Sequence, residues 1–154
     1  MRLVVAVVGK ARNPALGEAI RDYETRAARY WPLDVHEVRE ERASGSLIEK
    51  VKAKEGSRLF ERIPERAQTV ACEQGGRKLD SKQFAELLRQ ARDEDRDLAF
   101  LIGGAFGLTP EVSARATFKL SLAPWTLPHE IARLVLAEQI YRAGTIVRGE
   151  PYHK

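Results

Sequence analysis

Short apolar runs alternate with segments of helical periodicity along this sequence, and that alternation constrains the fold more than any other feature. Leu3–Val8 and Leu98–Ile102 contain only apolar residues and are each followed by glycine, as expected of strands buried on both faces of a parallel sheet. Further strands are predicted at residues 33–39, 69–72 and 118–122. The chain is therefore predicted to be α/β, with a mainly parallel sheet that helices cover on both faces.

Helix start signals occupy the segments between these strands. Asn13 and Thr109 are good capping residues, and each precedes a proline that suits the first turn of a helix. The predicted helices begin at Pro14, after a cap within residues 44–46, at Ser81, at Pro110 and at Pro128.

Three finer expectations concern element ends and faces. In the second helix, the apolar residues at positions 47, 48, 51 and 59 are expected to share one face, although Gly56 weakens the helix. Residues 74–76 are expected to form a turn. The last helix is expected to end at Gly144, which leaves residues 145–154 as a tail.

Composition narrows the class of protein without fixing it. The sequence has 26 Lys and Arg against 22 Asp and Glu, a net charge of +4, which permits an anionic partner but does not require one. A single cysteine excludes an internal disulfide, and the three histidines show no metal-ligand spacing. No linker or repeat divides residues 1–154, so one domain is expected. The apolar start is too short for a membrane span and lacks a cleavage site, so a cytoplasmic protein with no membrane partner is expected.

Three loops follow predicted strand ends, where α/β sheets bind ligands. They come after Cys72, after Ile102 and after Leu122. Glycines in the second loop allow a ligand to approach closely, although a tight turn explains them about equally well. This loop matches neither the dinucleotide fingerprint nor a phosphate-binding P-loop.

The last predicted helix carries several candidate functional residues. His129 lies in its first turn, where the helix dipole favours a neutral ring that either hydrogen-bonds a ligand or only packs. Glu138 and Arg142 have the spacing of a local ion pair, and Arg142 could instead reach a phosphate. The helix also has two apolar rows, one with Ile131, Leu134 and Val135 and one with Ala132, Leu136, Ile140 and Ala143. The presence of a second row suggests a twofold homodimer.

Two polar segments admit a functional and a neutral interpretation. The end of the chain, residues 148–154, concentrates aromatic, imidazole and cationic groups that suit base stacking and phosphate contact, yet such termini are commonly loose. Lys50, Lys54 and Arg58 form a basic stripe whose repulsion an RNA backbone would relieve, although solvated charge is the commoner explanation.

Three segments together resemble a known family. They are LIGGAFGL at residues 101–108, LSLAPWTLPHEIARLVLAEQIYRA at 120–143 and EPYHK at 150–154. The sequence resembles the bacterial large-subunit rRNA pseudouridine methyltransferases of the SPOUT class over essentially its whole length. The resemblance implies a homodimer with a trefoil-knotted carboxyl half, S-adenosylmethionine as methyl donor, and nitrogen-3 of a pseudouridine in helix 69 of 23S rRNA as acceptor.

Roles for individual residues follow partly from the resemblance and partly from the chemistry of this reaction. As a hypothesis from the chemistry, catalytic roles fall on Glu138, Arg142, Tyr152 and His153: His153 or Glu138 accepts the proton, Arg142 or Arg148 stabilises the anion, and Tyr152 stacks on the base. RNA contacts are expected at His129, Arg148, Lys50, Lys54 and Arg58. Cofactor contacts are implied at Cys72, Gly103, Leu122, Ala123, Pro124, Trp125, Thr126 and Leu127, although Cys72, Ala105 and Phe106 depart from the residues usual in the family.

Three alternatives to this function remain open on the sequence alone. The acceptor could be a tRNA or another rRNA base. The chain could also be a non-catalytic RNA-binding dimer that keeps the pocket as a relic. An α/β nucleotide-binding enzyme of another kind is the weakest alternative, because no phosphate-cradling motif supports it.

Overall fold

A computed structural model describes residues 1–42 and 47–154 as five parallel strands and five helices. The strand order across the sheet is β2-β1-β4-β3-β5, and every neighbouring pair is parallel. The α/β class and the parallel sheet predicted from the sequence are confirmed. Along the chain the elements are β1 (Leu3–Val8), α1 (Pro14–Ala27), β2 (Leu33–Val38), α2 (Ile48–Phe60), β3 (Gln68–Lys78), α3 (Ser81–Asp93), β4 (Leu98–Ile102), α4 (Pro110–Arg115), β5 (Phe118–Ser121) and α5 (His129–Arg148).

The sheet buries both of its faces. Alternate residues of each central strand point to opposite sides, so Val5 and Phe100 pack on one face while Ala6 and Leu101 pack on the other. The first face carries α1, α3 and α5, and the second carries α2 and α4. β1 and β4 are buried at every position, which explains their uninterrupted apolar sequence.

The strand order decides where the predicted loops meet. β4, β3 and β5 are consecutive in the sheet, so the loops that follow β4 and β5 lie beside residues 72–74 of β3 at its carboxyl edge. β1 and β2 occupy the other half of the same edge. In the described ranges no helix is both long and apolar enough to cross a membrane.

The face predicted for α2 is partly wrong. Leu47 is 67% exposed and Ile48 49% exposed, because they begin the helix beyond the cover of the sheet. The buried face consists of Val51, Glu55, Gly56 and Leu59. Gly56 lies against Val112, where an added Cβ would come within 2.3 Å of a methyl group. The predicted cap within residues 44–46 lies outside the described residues.

Two glycine assignments are also wrong. Gly75-Gly76 forms no turn: β3 continues to Lys78 through an irregularity between Cys72 and Arg77, and a Cβ on Gly76 would lie 2.5 Å from the Leu120 backbone. Gly144 does not end α5, which continues to Arg148 and ends at Gly149 with φ +68°. The tail therefore begins four residues later than predicted.

The two apolar rows of α5 have different surroundings. Leu136, Ile140 and Ala143 are buried in the core of the same chain. The row with Ile131, Leu134 and Val135 is only half-buried and remains open to contact with a second molecule.

Candidate functional site

A pocket of about 630 Å³ lies at the carboxyl edge of the sheet, where the irregular part of β3 at residues 72–74 meets the loops after β4 and β5. The prediction of a loop after Cys72 is wrong, because these residues belong to β3, but they line one pocket with the other two predicted loops. Its walls are largely apolar and are completed by the first turn of α5. The lining residues are Cys72, Glu73, Gln74, Ile102, Gly103, Gly104, Ala105, Phe106, Gly107, Leu108, Leu122, Ala123, Trp125, Thr126, Leu127, Pro128, His129 and Ala132.

The glycine loop after β4 is folded tightly on itself. The backbone N–H of Gly107 donates to the carbonyl of Gly104 at 3.0 Å, and Gly107 has φ +75°. A Cβ on Gly103 would lie 2.5 Å from the backbone carbon of Gly107, so no larger residue fits without opening the loop. The glycines therefore allow the backbone to fold into this compact wall of the pocket.

Glu55 of α2 supports the glycine loop from behind. Its side chain is 5% exposed, and Oε1 accepts the backbone N–H of Glu41 at 3.0 Å. Oε2 has no hydrogen-bond partner among the described residues and faces Gly104, where an added Cβ would lie 3.0 Å from it. Burial raises the pKa of this carboxyl group.

The loop after β5 is held by Gln74, a residue that the sequence analysis assigned only to a turn. The Gln74 side-chain amide donates to the carbonyl of Pro124 at 2.9 Å, and its oxygen accepts from the Thr126 hydroxyl at 3.1 Å. Pro124 is the one predicted cofactor residue that does not line the pocket. Trp125 is 76% exposed at the rim.

Cys72 and His129 close two sides of the pocket. Burial, followed by the charge of Glu73, raises the pKa of the Cys72 thiol to about 12, so it is neutral at physiological pH. His129 has a buried Nε2 without a hydrogen-bond partner among the described residues, 3.8 Å from Glu40 Oε1. His129 was expected to contact RNA, and the structure places it in the pocket wall.

The four residues with predicted catalytic roles lie together on α5 and the tail. Arg142 pairs with Glu138 at 2.5 Å, as the spacing predicted, and its Nη1 lies 3.4 Å from His153 Nδ1. The Tyr152 hydroxyl lies 3.1 Å from Glu138 Oε1, and the Arg142 guanidinium stands 4.7 Å from the centre of the Tyr152 ring. The end of the chain is therefore packed onto the helix rather than loose.

This group extends onto α1 as a cluster of aromatic rings. The Tyr152 hydroxyl lies 3.3 Å from that of Tyr23, and Tyr141 stacks edge-on with Tyr152 at 4.7 Å between ring centres. Burial, together with hydrogen bonding to Tyr23 and Glu138, raises the pKa of Tyr152. Hydrogen bonding to Glu138 raises the pKa of Arg142, which keeps that side chain charged.

The four residues with predicted catalytic roles, referred to below as the catalytic group, lie apart from the pocket within one chain. None of Glu138, Arg142, Tyr152 and His153 lines the pocket of the same chain. The structure therefore brings the predicted residues together as two sets, one around the strand ends and one at the far half of α5.

The residues expected to contact RNA are dispersed. Arg148 stacks over Tyr30 at 4.6 Å, near the catalytic group. Lys54 and Arg58 both pair with Glu41, at 3.2 and 2.6 Å, so the repulsion inferred for the basic stripe is relieved within the chain. Lys50 is exposed.

The sequence profile of a known family matches almost the whole chain. The family is described as "Predicted SPOUT methyltransferase", and the match covers residues 1–153.

Curated relatives and solved structures agree with this match. A ribosomal RNA large subunit methyltransferase H from Gemmatimonas aurantiaca is 56% identical over 154 residues and is covered completely, as is this chain. The protein of the same name from Syntrophotalea carbinolica is 40% identical over 99% of both chains. A "probable methylase family protein" of Haemophilus influenzae is similar in fold, with a TM-score of 0.58 at 14% identity over 99% of this chain and 70% of that chain.

Proposed function

Because this chain belongs to the SPOUT methyltransferase family, we propose that it methylates the RNA of the large ribosomal subunit with S-adenosylmethionine as methyl donor. The observation that carries the proposal is the pocket formed by the irregular part of β3 and the loops after β4 and β5, which contains seven of the eight residues expected to contact this donor. The names of the full-length relatives support the choice of RNA over other acceptors.

The pocket fits S-adenosylmethionine by its own chemistry. Its volume of about 630 Å³ suits a ligand of this size. Leu122 and Leu127 provide apolar surface against which an adenine ring can pack. The backbone N–H groups of Trp125, Thr126 and Leu127 donate to no main-chain carbonyl of the described residues, so they are available to a polar ligand.

The acceptor that we propose is nitrogen-3 of a pseudouridine in helix 69 of 23S rRNA. When bound, S-adenosylmethionine supplies an electrophilic methyl group on a sulfonium sulfur. The protein then has to hold the acceptor nitrogen in line with that group and receive its proton. An imide nitrogen is mostly protonated near neutral pH, so proton removal and stabilisation of the anion fall to side chains of the catalytic group.

The contacts within the catalytic group suggest a division of roles. Glu138 already accepts from Arg142, Tyr152 and Gln139, so it positions the first two rather than serving as a free base. The 3.4 Å contact between Arg142 and His153 is long and easily exchanged for substrate. We therefore assign proton acceptance to His153, stabilisation of the anion to Arg142 and base stacking to Tyr152.

A second copy of the chain would unite the two sets of residues. The half-buried row Ile131, Leu134 and Val135 runs along α5 between the pocket and the catalytic group. A homodimer that packs this row would bring the tail of one subunit to the pocket of the other. We propose this arrangement together with a trefoil knot in the carboxyl half.

Methyl incorporation from labelled S-adenosylmethionine into naked rRNA, separate subunits and whole ribosomes tests the function directly. We expect incorporation into the large-subunit RNA, located by mass analysis at one pseudouridine. Incorporation into tRNA or at another rRNA base would replace the acceptor and leave the enzyme class intact. Failure of calorimetry to detect S-adenosylmethionine binding would overturn the proposal.

Two variants separate the roles of the two sets of residues. Gly103→Val should weaken binding of S-adenosylmethionine, because a larger side chain collides with the Gly107 backbone. Removal of residues 152–154 should leave that affinity unchanged and abolish methyl transfer. Normal turnover by the truncated protein would exclude the tail from the reaction.

A further inference from the structure

A second cleft, of about 650 Å³, opens at the carboxyl ends of β1 and β2. It occupies the half of the sheet edge that the first pocket leaves free. Four cationic side chains line it, from Lys10, Arg12, Arg39 and Arg42. No role proposed above uses this cleft.

The acidic residues of the cleft are already neutralised. Glu37 pairs with Arg133 at 2.7 Å, Glu40 pairs with Arg12, and Glu41 pairs with Arg58 and Lys54. Each of the three carboxylates thus has a cationic partner, which for Glu37 is an arginine shared with Glu24. Of the four cations that line the cleft, only Arg12 is used in these pairs.

Three of the cations remain without an acidic partner. Lys10, Arg39 and Arg42 are exposed and pair with no carboxylate in residues 1–42 and 47–154. The intervening residues 43–46 are Ala-Ser-Gly-Ser, which carry no carboxylate. Three adjacent unneutralised cations in an open cleft attract an extended polyanion.

Two hydrogen bonds from α2 hold the rim of the cleft in place. Arg58 Nη1 donates to the carbonyl of Arg39 at 2.8 Å, and Glu55 Oε1 accepts the backbone N–H of Glu41 at 3.0 Å. The backbone at Arg39 and Glu41 is therefore held in place before any ligand binds, which reduces the entropy cost of binding.

The cleft and the pocket share a wall. His129 lines the pocket, and its Nε2 lies 3.8 Å from Glu40, which lines the cleft. Glu130 of the same helix accepts the backbone N–H of Arg12. A nucleotide chain with one base at the mouth of the pocket could therefore continue over this wall into the cleft.

We propose that the cleft binds the phosphate backbone of the RNA substrate beside the target nucleotide, through Lys10, Arg39 and Arg42. This inference rests on the function proposed above and adds the surface that orients the RNA. The contacts are to phosphate, so they position the substrate without reading its sequence.

A pair of matched double variants tests the proposal. Arg39→Gln/Arg42→Gln removes two cations from the cleft. Arg62→Gln/Arg66→Gln removes two exposed arginines from the segment before β3, at the opposite edge of the sheet. Methyl transfer to the RNA substrate is measured at several salt concentrations, together with the dissociation constant of S-adenosylmethionine.

We expect the cleft variant to raise the KM for RNA by about 10-fold or more at moderate salt. The slope of log KM against the logarithm of the salt concentration should fall by the amount that about one to two lost phosphate contacts produce. Its affinity for S-adenosylmethionine should stay unchanged, and the control variant should resemble the wild type. Equal KM values for both variants, with an active wild type, would overturn the proposal for the cleft and leave the proposed function intact. An inactive wild type would instead refute the function itself.

Inhibition by inorganic phosphate distinguishes a site for a polyanion from a site for a small anion. At constant ionic strength, millimolar phosphate should not inhibit the wild type competitively with RNA. Competitive inhibition that disappears in the cleft variant would identify a site for free phosphate and would overturn the assignment to RNA.

Discussion

At the scale of single residues, Glu55 is a buried carboxyl group whose ionisation should lower the stability of the fold. Its raised pKa means that the folded protein holds the proton more tightly than the unfolded chain does. The protonated carboxyl group therefore contributes its full stabilisation of the fold below the ordinary glutamate pKa. This contribution is lost as pH rises through the pKa of Glu55 in the folded protein. Glu55→Gln should remove this dependence, because the amide keeps an acceptor for Glu41 and never ionises.

Urea unfolding between pH 4 and pH 7 measures the effect. The stability of Glu55→Gln relative to the wild type should increase toward pH 7. Glu61→Gln, at the exposed residue that follows the same helix, is the matched control for removing one carboxyl group. A constant difference for Glu55→Gln across this range would mean that the carboxyl group is not perturbed.

Gln74 shows that a single amide can determine the shape of the pocket. Its two hydrogen bonds hold the Pro124–Thr126 part of the loop after β5. Gln74→Ala should raise the dissociation constant of S-adenosylmethionine by up to about 30-fold, since the two lost bonds are together worth about 2 kcal/mol. Gln74→Glu keeps the acceptor for Thr126 but places a carboxylate oxygen against the Pro124 carbonyl, so it should also weaken binding. Calorimetry that finds equal affinity in all three proteins would exclude this role.

At the scale of elements, Gly144 fixes how closely α1 and α5 approach. An added Cβ would lie 2.4 Å from the Tyr30 ring at its point of attachment, which cannot move without shifting α1. Gly144→Ala should therefore destabilise the fold by about 1–3 kcal/mol, even though alanine favours helices by about 1 kcal/mol. Chemical denaturation provides the measurement. Gly75→Ala, which meets no atom within 4 Å, should change stability far less, and a stabilising Gly144→Ala would contradict the packing argument.

The elements were predictable from sequence where local signals agreed with burial. Leu3–Val8 and Leu98–Ile102 match the predicted strands because a centrally placed parallel strand needs an uninterrupted apolar run. Gly144 was misread because close packing and helix termination both select glycine, and only the neighbouring Tyr30 distinguishes them. Leu47 and Ile48 were misplaced because a periodic pattern does not reveal where the cover of the sheet ends.

The site was predictable only in part for a similar reason. Residues 122–127 were identified from their position after a strand and from the family resemblance. Gln74 was missed because its function is to hold a loop 50 residues away, a relation that depends on β3 and β5 being neighbours. The cleft at β1 and β2 was missed because its net charge depends on ion pairs between distant elements.

At the scale of the whole molecule, the separation of pocket and catalytic group predicts complementation between two inactive subunits. Gly103→Val damages the pocket, and deletion of residues 152–154 damages the tail. A heterodimer with one subunit of each kind, purified through two affinity tags, would contain one site with an intact pocket and an intact partner tail. It should recover about half of the wild-type activity, whereas each homodimer stays inactive. A heterodimer without activity would show that each pocket uses its own tail.

One rigid helix carries a wall of the pocket at its beginning and the catalytic group in its second half. From His129 to Arg142 the helix rises about 20 Å, so its pitch fixes both the separation and the rotational phase of the two sets of residues. One extra residue between Ala132 and Glu138 would turn the later set by about 100° while leaving the pocket intact. Under the proposed mechanism the number of residues in this helix sets the position of the catalytic side chains, so an inserted residue should reduce methyl transfer more than a conservative side-chain exchange at the same place.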